Sequence, residues 1–428
     1  MPPTRFRLFA VALPSVLRAL NSRNYRLFFG GQALSLLGNW MTLTASSWLI
    51  YELSRSAFLV GLLAFASQIP VLLLAPLGGI WGDRIDRQRL MWWLNLLSAG
   101  PSLTLAVVAW TGNVSVAWLL ALATIRGLIN AFEFPTRQSF IVELVDRKED
   151  LSNAIALNSS MFNVARLIGP AIAGVIIATY GVEVCYGLDA VSYIGILGAL
   201  LAMRTVPRPR PLQPRHPWED LREGFSYVRA SAVLRPPLLL VPMVAVAGFT
   251  ANVLAPVFAR DIFHGTSVTL GHMYSAVGIG ALVSAMLLAN RRSAQGLAGW
   301  VVRGGLAVVI AMVGFAFSPW FYLSLLCLAL NGFGTVLMMA GSNTLIQAHV
   351  ADDKRSRVMG LFAMGQGMFP VGGLIAGSLA AVAGPRLAVG VAAVVMALAV
   401  VQFARRAGRL PGAPPTVRPA PLPSDSAT

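Results

Sequence analysis

Five ionisable residues stand where charge is expensive. Arg126, Glu133, Arg166 and Asp189 lie inside long apolar runs, and Asp261 sits beside Arg260 near the end of another. A charge held in hydrocarbon is retained where it pairs, relays an ion or meets a ligand. Proton exchange is the chemistry open to this set, because it needs an intramembrane carboxylate that burial tunes to work near neutral pH. Glu133 lies two turns from Arg126 on nearly the same helix face and is the first candidate. Asp189 is second and Asp261 third. Arg137, four residues after Glu133, offers the alternative of a structural ion pair. Glu52 reads as a solvated boundary residue.

Amides in the same apolar runs could line a cavity: Gln32, Asn39 and Gln68 early in the chain, Asn252, Asn343 and Gln366 later. Hydrogen bonding between helices is the alternative for each. Trp40, Trp48, Phe132, Phe249 and Phe369 add an aromatic surface suited to an amphipathic organic molecule. Other chemistries are excluded. Lys148 and Lys354 are the only lysines and neither follows a glycine, so there is no P-loop to hold ATP. None of the histidines opens a His-Glu-x-x-His zinc site, and no triad or paired carboxylate has a recognisable setting. Neither enzyme activity, nor a metal, nor a cofactor is expected. Cys185 and Cys327 lie in apolar surroundings and form no disulfide framework.

Composition dictates the elements that must position these groups. Of 428 residues, 56% are hydrophobic and only 12% charged, more apolar surface than a soluble chain of this size can bury. Apolar stretches of about 20 residues recur, as membrane-spanning helices require. Twelve spans are expected. The first six are 25–51, 57–82, 90–110, 114–135, 151–180 and 184–203. The second six are 238–263, 269–290, 298–317, 320–349, 358–383 and 386–404. They divide the chain into a segment 1–24, a bundle 25–203, a linker 204–235, a second bundle 236–404 and a disordered tail 405–428. The linker opens rich in proline and continues from Pro217 as an amphipathic helix for the membrane surface. The apolar run 8–17, broken by Pro14 and followed by Arg18, is an interfacial segment rather than a cleaved signal.

The net charge of +16 has a topological meaning here and does not point to nucleic acid. Of 33 lysines and arginines, Arg55, Arg260 and Arg386 fall on one side of the expected membrane, and Arg126 and Arg166 fall within spans. The remainder fall on the other side, which places both termini and the linker in the cytoplasm. The halves also repeat. Arg126-Gly127 can be laid on Asn331-Gly332, and Gly169-Pro170 to Gly174 parallels Gly372-Gly373 to Gly377. Such repeats imply a pseudo-two-fold axis along the membrane normal, with a substrate site between halves.

Between the second and third spans the chain reads Gly78-Gly79-Ile80-Trp81-Gly82-Asp83-Arg84-Ile85-Asp86-Arg87. The glycines are expected to end one helix and leave the charges in a very short loop. The order Gly79-x-x-x-Asp83-Arg84-x-x-Arg87 resembles the cytoplasmic loop signature of the major facilitator superfamily of secondary transporters, with Asp86 where glycine is usual. Arg126 resembles that family's proton-coupling arginine, although glycine follows it at once. Gly169-Pro170-x-x-x-Gly174, just after Arg166, resembles a truncated antiporter signature, a place for close packing and a pivot. Phe134-Pro135-Thr136-Arg137-Gln138-Ser139, Glu143-Leu144-Val145, Ala165-Arg166-Leu167-Ile168-Gly169-Pro170 and Phe258-Ala259-Arg260-Asp261 are similar to the branch holding the enterobactin exporter and macrolide-efflux proteins.

The resemblance implies an all-α membrane protein with twelve transmembrane helices in two pseudo-symmetric six-helix bundles. It further implies proton-driven efflux, by antiport, of an amphipathic small molecule such as a drug or siderophore from a bacterial inner membrane. The partners implied are that molecule, protons and the bilayer, with the chain a monomer. Asp83 would sit against the start of the eleventh span near Ser356 in the outward-open state, with Arg84 and Arg87 holding the loop by ion pairs. An importer or facilitator, or a non-transporting receptor or scaffold, are the alternatives.

Overall fold

The structure, a computed structural model, describes residues 15–84, 86–204, 217–291, 296–351 and 353–407, without the side chains of 15–16, 75–84, 148, 217–221 and 407. Regular structure among them is helical throughout. Hydrocarbon offers no partner to a backbone N–H or C=O, so so apolar a chain folds into helices that satisfy their own. The first six long helices are α1 (Arg23–Ser54), α2 (Ala57–Arg84), α3 (Arg87–Trp110), α4 (Val116–Leu144), α5 (Leu151–Tyr180) and α6 (Val182–Ala202). A shorter amphipathic helix, α7 (Pro217–Ala230), follows. The last six are α8 (Arg235–Ile262), α9 (Ser267–Ala289), α10 (Leu297–Phe317), α11 (Phe321–His349), α12 (Arg355–Ala383) and α13 (Pro385–Ala407). The start of the chain, the proline-rich part of the linker and the tail from 408 lie outside the described residues.

Eleven of the long helices are apolar and long enough to cross a bilayer. The exception is α1, expected as the first of twelve spans. It is 32 residues long, but Gln32, Asn39, Thr42, Thr44 and Ser46 recur along it. Those residues face protein, since α1 packs against both α5 and α6.

Helix contacts repeat between halves. In the first, α1 packs on α5 and α6, α2 on α4, and α3 on α4 and α6. In the second, α8 packs on α12 and α13, α9 on α11, and α10 on α11 and α13. The halves meet through α2 with α12 and α5 with α9, two contacts that exchange under the same correspondence. Gly181 and Gly384, at equivalent turns, both take positive φ (94° and 84°), which glycine adopts without strain.

Three local features depart from expectation. First, α2 runs through Gly78, Gly79 and Gly82 to Arg84, so the glycines do not end it. The turn is closed from its other side, where Asp86 caps α3 by accepting from the Arg89 N–H at 2.8 Å. Second, α8 is not one regular helix. It widens at Val244–Gly248 and again at Phe258–Ile262, next to Pro242 and Pro256, which lack an N–H to donate. Third, α12 is interrupted at Gly367 and Met368, with Pro370 just beyond. Near its start, Arg357 Nη1 lies 2.9 Å from Glu223 Oε1 of α7, and Lys354 bonds the same carboxylate. That hydrogen bond holds the Lys354 ammonium above the ordinary lysine range.

Candidate functional site

Four helices of the first half bring a polar network into an apolar interior. Asp189 of α6 is fully buried. Its Oδ2 accepts from Ser102 Oγ of α3 at 2.6 Å and from Thr42 Oγ1 of α1 at 2.9 Å. Its Oδ1 has no donor among the described residues. Close approach of α1 makes this possible, because a Cβ at Gly38 would lie 2.6 Å from that Oδ1. Arg126 of α4 donates to Ser98 O at 3.0 Å and Asn39 Oδ1 at 3.3 Å, with its guanidinium 5.2 Å from the centre of the Tyr193 ring. Glu133 is buried and pairs with Arg137 at 3.4 Å. Ser98 links the two, its carbonyl accepting from Arg126 and its hydroxyl lying 3.5 Å from Glu133 Oε2.

The first and second proton candidates are therefore placed differently. Glu133 has the cation four residues on that its sequence offered as the alternative. Asp189 has two neutral hydroxyl donors and no arginine or lysine within ion-pair distance among the described residues. Thr42, Ser98, Ser102 and Tyr193 were not singled out from sequence. Their only signal is spacing, with Ser98 and Ser102 four apart on α3 and Thr42 three after Asn39 on α1.

Asp261, the third candidate, lies apart from this network. It accepts a hydrogen bond from Tyr51, so it ties α8 to α1. Beside it Glu52 pairs with Arg260 at 3.0 Å and Arg55 at 2.8 Å. Glu52 is thus no simple solvated boundary residue: with a cation on each side, it joins the two halves. Helix packing closes the same end. A Cβ at Gly174 would lie 2.7 Å from Ser267 O, and Ser267 Oγ donates to Gly174 O at 2.9 Å. At the equivalent contact, a Cβ at Gly377 would lie 2.6 Å from Ala57 O and 2.9 Å from Gly61 Cα. Gly169 instead seats α5 on Trp40 of α1, and Pro170 is buried beside it. Toward the other end Thr344, Gln347 and Gln366 are exposed although they lie within spans.

Two aromatic pairs face this interior from opposite halves. Trp40 meets Phe162 edge to face at 5.8 Å, and Phe249 meets Phe369 at 4.7 Å and 86°. The second pair sits where the irregular turns of α8 and α12 come together. Gln366 reaches Met339 Sδ at 3.9 Å, while the Oδ1 of Asn252 and the Oε1 of Gln32 find no donor among the described residues. Asn343 accepts from Gln347 within α11. Gln68 and Phe132 are half-buried and Trp48 belongs to the core.

Of the charged signature, Gly79, Asp83 and Arg84 fall in α2, and their side chains lie outside the described residues. Arg87 is buried and pairs with Glu143 of α4 at 2.8 Å, also donating to Ser139 O at 3.3 Å. Taking one partner from a buried pair costs about 3 kcal/mol or more. Arg87→Met should therefore lower the midpoint of thermal unfolding in detergent well beyond the change given by the exposed Arg89→Met. Equal midpoints for the two variants would show that the pair does not hold α3 to α4.

The family described as "Transmembrane secretion effector" matches residues 15–413. The staphyloferrin A transporter of Staphylococcus aureus is 26% identical over 81% of this chain and 87% of its own length. The enterobactin exporter EntS of Citrobacter koseri is 27% identical over 75% of this chain and 74% of its own. Among solved structures, a bacterial homologue of the human lysosomal transporter Spinster, inward-facing and unoccupied, superposes with a TM-score of 0.67 at 16% identity, covering 93% of this chain and 98% of that one. Over nearly its whole length, then, the chain belongs to the transmembrane secretion effector family of major facilitator transporters, and is a multi-pass membrane transporter rather than an enzyme.

Proposed function

We propose that this chain is a proton-coupled exporter of an amphipathic small molecule, acting as a monomer in a bacterial inner membrane. In this reading bundles 25–203 and 236–404 rock about a central site, and the termini and linker lie in the cytoplasm. The observation that carries it is Asp189, fully buried among hydroxyls and one helical turn before Tyr193, whose ring meets Arg126. A buried charge is costly unless it is paired; Glu133 has Arg137 as its cation at 3.4 Å, whereas Asp189 has only neutral hydroxyl donors among the described residues. Arg126, held by Ser98 and Asn39, is placed to follow a change in the charge of Asp189. The names of the relatives favour efflux and an organic cargo.

The test is uptake by proteoliposomes of a macrolide, a catechol siderophore and a lipophilic cation, with and without an imposed pH gradient. Accumulation of one compound only when the gradient is imposed is the expected result. Equal movement with and without the gradient would replace the exporter by a facilitator.

A further inference from the structure

We infer that the transported molecule is an organic anion and that Arg166 is the residue that recognises its charge; this rests on the exporter reading above. The placement of Arg166 follows from what surrounds α5. Ala165 and Gly169 face α1, where Ala165 packs with Leu36 and a Cβ at Gly169 would lie 2.6 Å from Trp40 Cβ. Leu167 faces α9, its carbonyl accepting from Ser275 Oγ at 2.7 Å. Val164, Ile168, Ile172 and Val175 are large, apolar and exposed, which marks the lipid side. At about 100° per residue, Arg166 points some 160° away from Ile168. It therefore faces inward between α1 and α9, at the seam of the two halves, with Phe162 one turn before it and Pro170 one turn after.

At that position Arg166 has no ion pair, hydrogen bond or ring contact among the described residues. Its counterparts do: Arg87 has Glu143, Arg137 has Glu133, Arg260 has Glu52, and Arg126 has Ser98, Asn39 and Tyr193. In the facing half, Asp261 of α8 is already bonded to Tyr51 of α1. From Thr269 to Arg406 the only acidic residues in the sequence are Asp352 and Asp353, both of which precede the first residue of α12. Arg166 thus has no carboxylate partner from the facing half among the described residues. A guanidinium is a planar fork that binds carboxylate or phenolate oxygens through paired hydrogen bonds, and it stays charged at every working pH. Phe162, 41% exposed and edge to face with Trp40, puts an apolar surface one turn away. A carboxylate or phenolate on an aromatic or aliphatic body matches both.

The experiment uses the full chain in lipid nanodiscs with radiolabelled 2-naphthoate, salicylate and citrate as probes, and 2-naphthamide and 2-naphthylmethylammonium as matched controls. Saturable binding of at least one carboxylate, displaced poorly by the amide and the ammonium, is expected. Arg166→Gln should weaken that binding at least tenfold and Arg166→Lys by only a few fold, with the thermal midpoint of both variants near that of the parent. No saturable carboxylate binding, or carboxylate binding indifferent to Arg166→Gln, overturns the inference. The exporter reading fails separately. Gradient-driven flux of the ammonium compound, unimpaired in Arg166→Gln, would sink the anion and leave proton coupling standing. Carboxylate binding that needs Arg166, with no gradient-driven flux of any compound, would do the reverse.

Discussion

Replacing Asp189 with asparagine should abolish gradient-driven accumulation while leaving downhill exchange of the same substrate intact. Asparagine keeps the shape and can still accept from Ser102 and Thr42, at 2.6 and 2.9 Å in the parent, so the helix contacts survive. What it loses is the exchangeable charge. One proton carried down a gradient of one pH unit supplies about 1.4 kcal/mol, enough for roughly tenfold accumulation of a neutral cargo. In Asp189→Asn that ratio should fall to about one, whereas substrate counterflow without a gradient continues. Glu133→Gln is the control, since Glu133 is committed to Arg137 at 3.4 Å; it should keep most of the accumulation. If Asp189→Asn still concentrates substrate and Glu133→Gln does not, the proton travels on Glu133, as its place near Arg126 first suggested.

The contacts that favour proposing Asp189 ahead of Glu133 show what sequence can carry. The bundle was legible because burial in hydrocarbon imposes long apolar runs, and α5 spans the residues those runs marked, Leu151–Tyr180. The seam was legible in part, because small residues recur at equivalent places in both halves, and Gly174 and Gly377 do meet the opposite half. The network was not. Thr42 reaches Asp189 across 147 residues of chain, and no local pattern says which of many hydroxyls in apolar runs will face which carboxylate. Glu52 misled for a similar reason, since its cation Arg260 comes from the other half. The interruptions of α8 and α12 were hidden by their composition, which stays apolar straight through them. Prolines at 242, 256 and 370 were the one sign available.

Gly174→Leu should hold the transporter away from the conformation described here and cost it most of its transport. A Cβ at Gly174 already lies 2.7 Å from Ser267 O and 3.1 Å from Val268 Cα, so a leucine cannot fit unless α5 and α9 part. Overpacking of this kind costs about 1–3 kcal/mol, occasionally more. In an alternating-access protein that cost falls only on the state in which the two helices touch. A penalty of about 3 kcal/mol borne by one state shifts a two-state equilibrium by roughly 150-fold, without unfolding either. Transport should drop at least tenfold while the protein still inserts and melts cooperatively. The direct readout is access to Gln366, which is exposed here at the end away from the Gly174 contact. With cysteine at 366 in a background lacking Cys185 and Cys327, an impermeant maleimide added from the linker side should label the parent and label Gly174→Leu several-fold more slowly. Gly377→Leu, at the equivalent contact with α2, should behave alike, since 2.6 Å to Ala57 O leaves it no more room. Unchanged labelling with unchanged transport in both variants would mean that the two glycine contacts are not what closes this end of the protein.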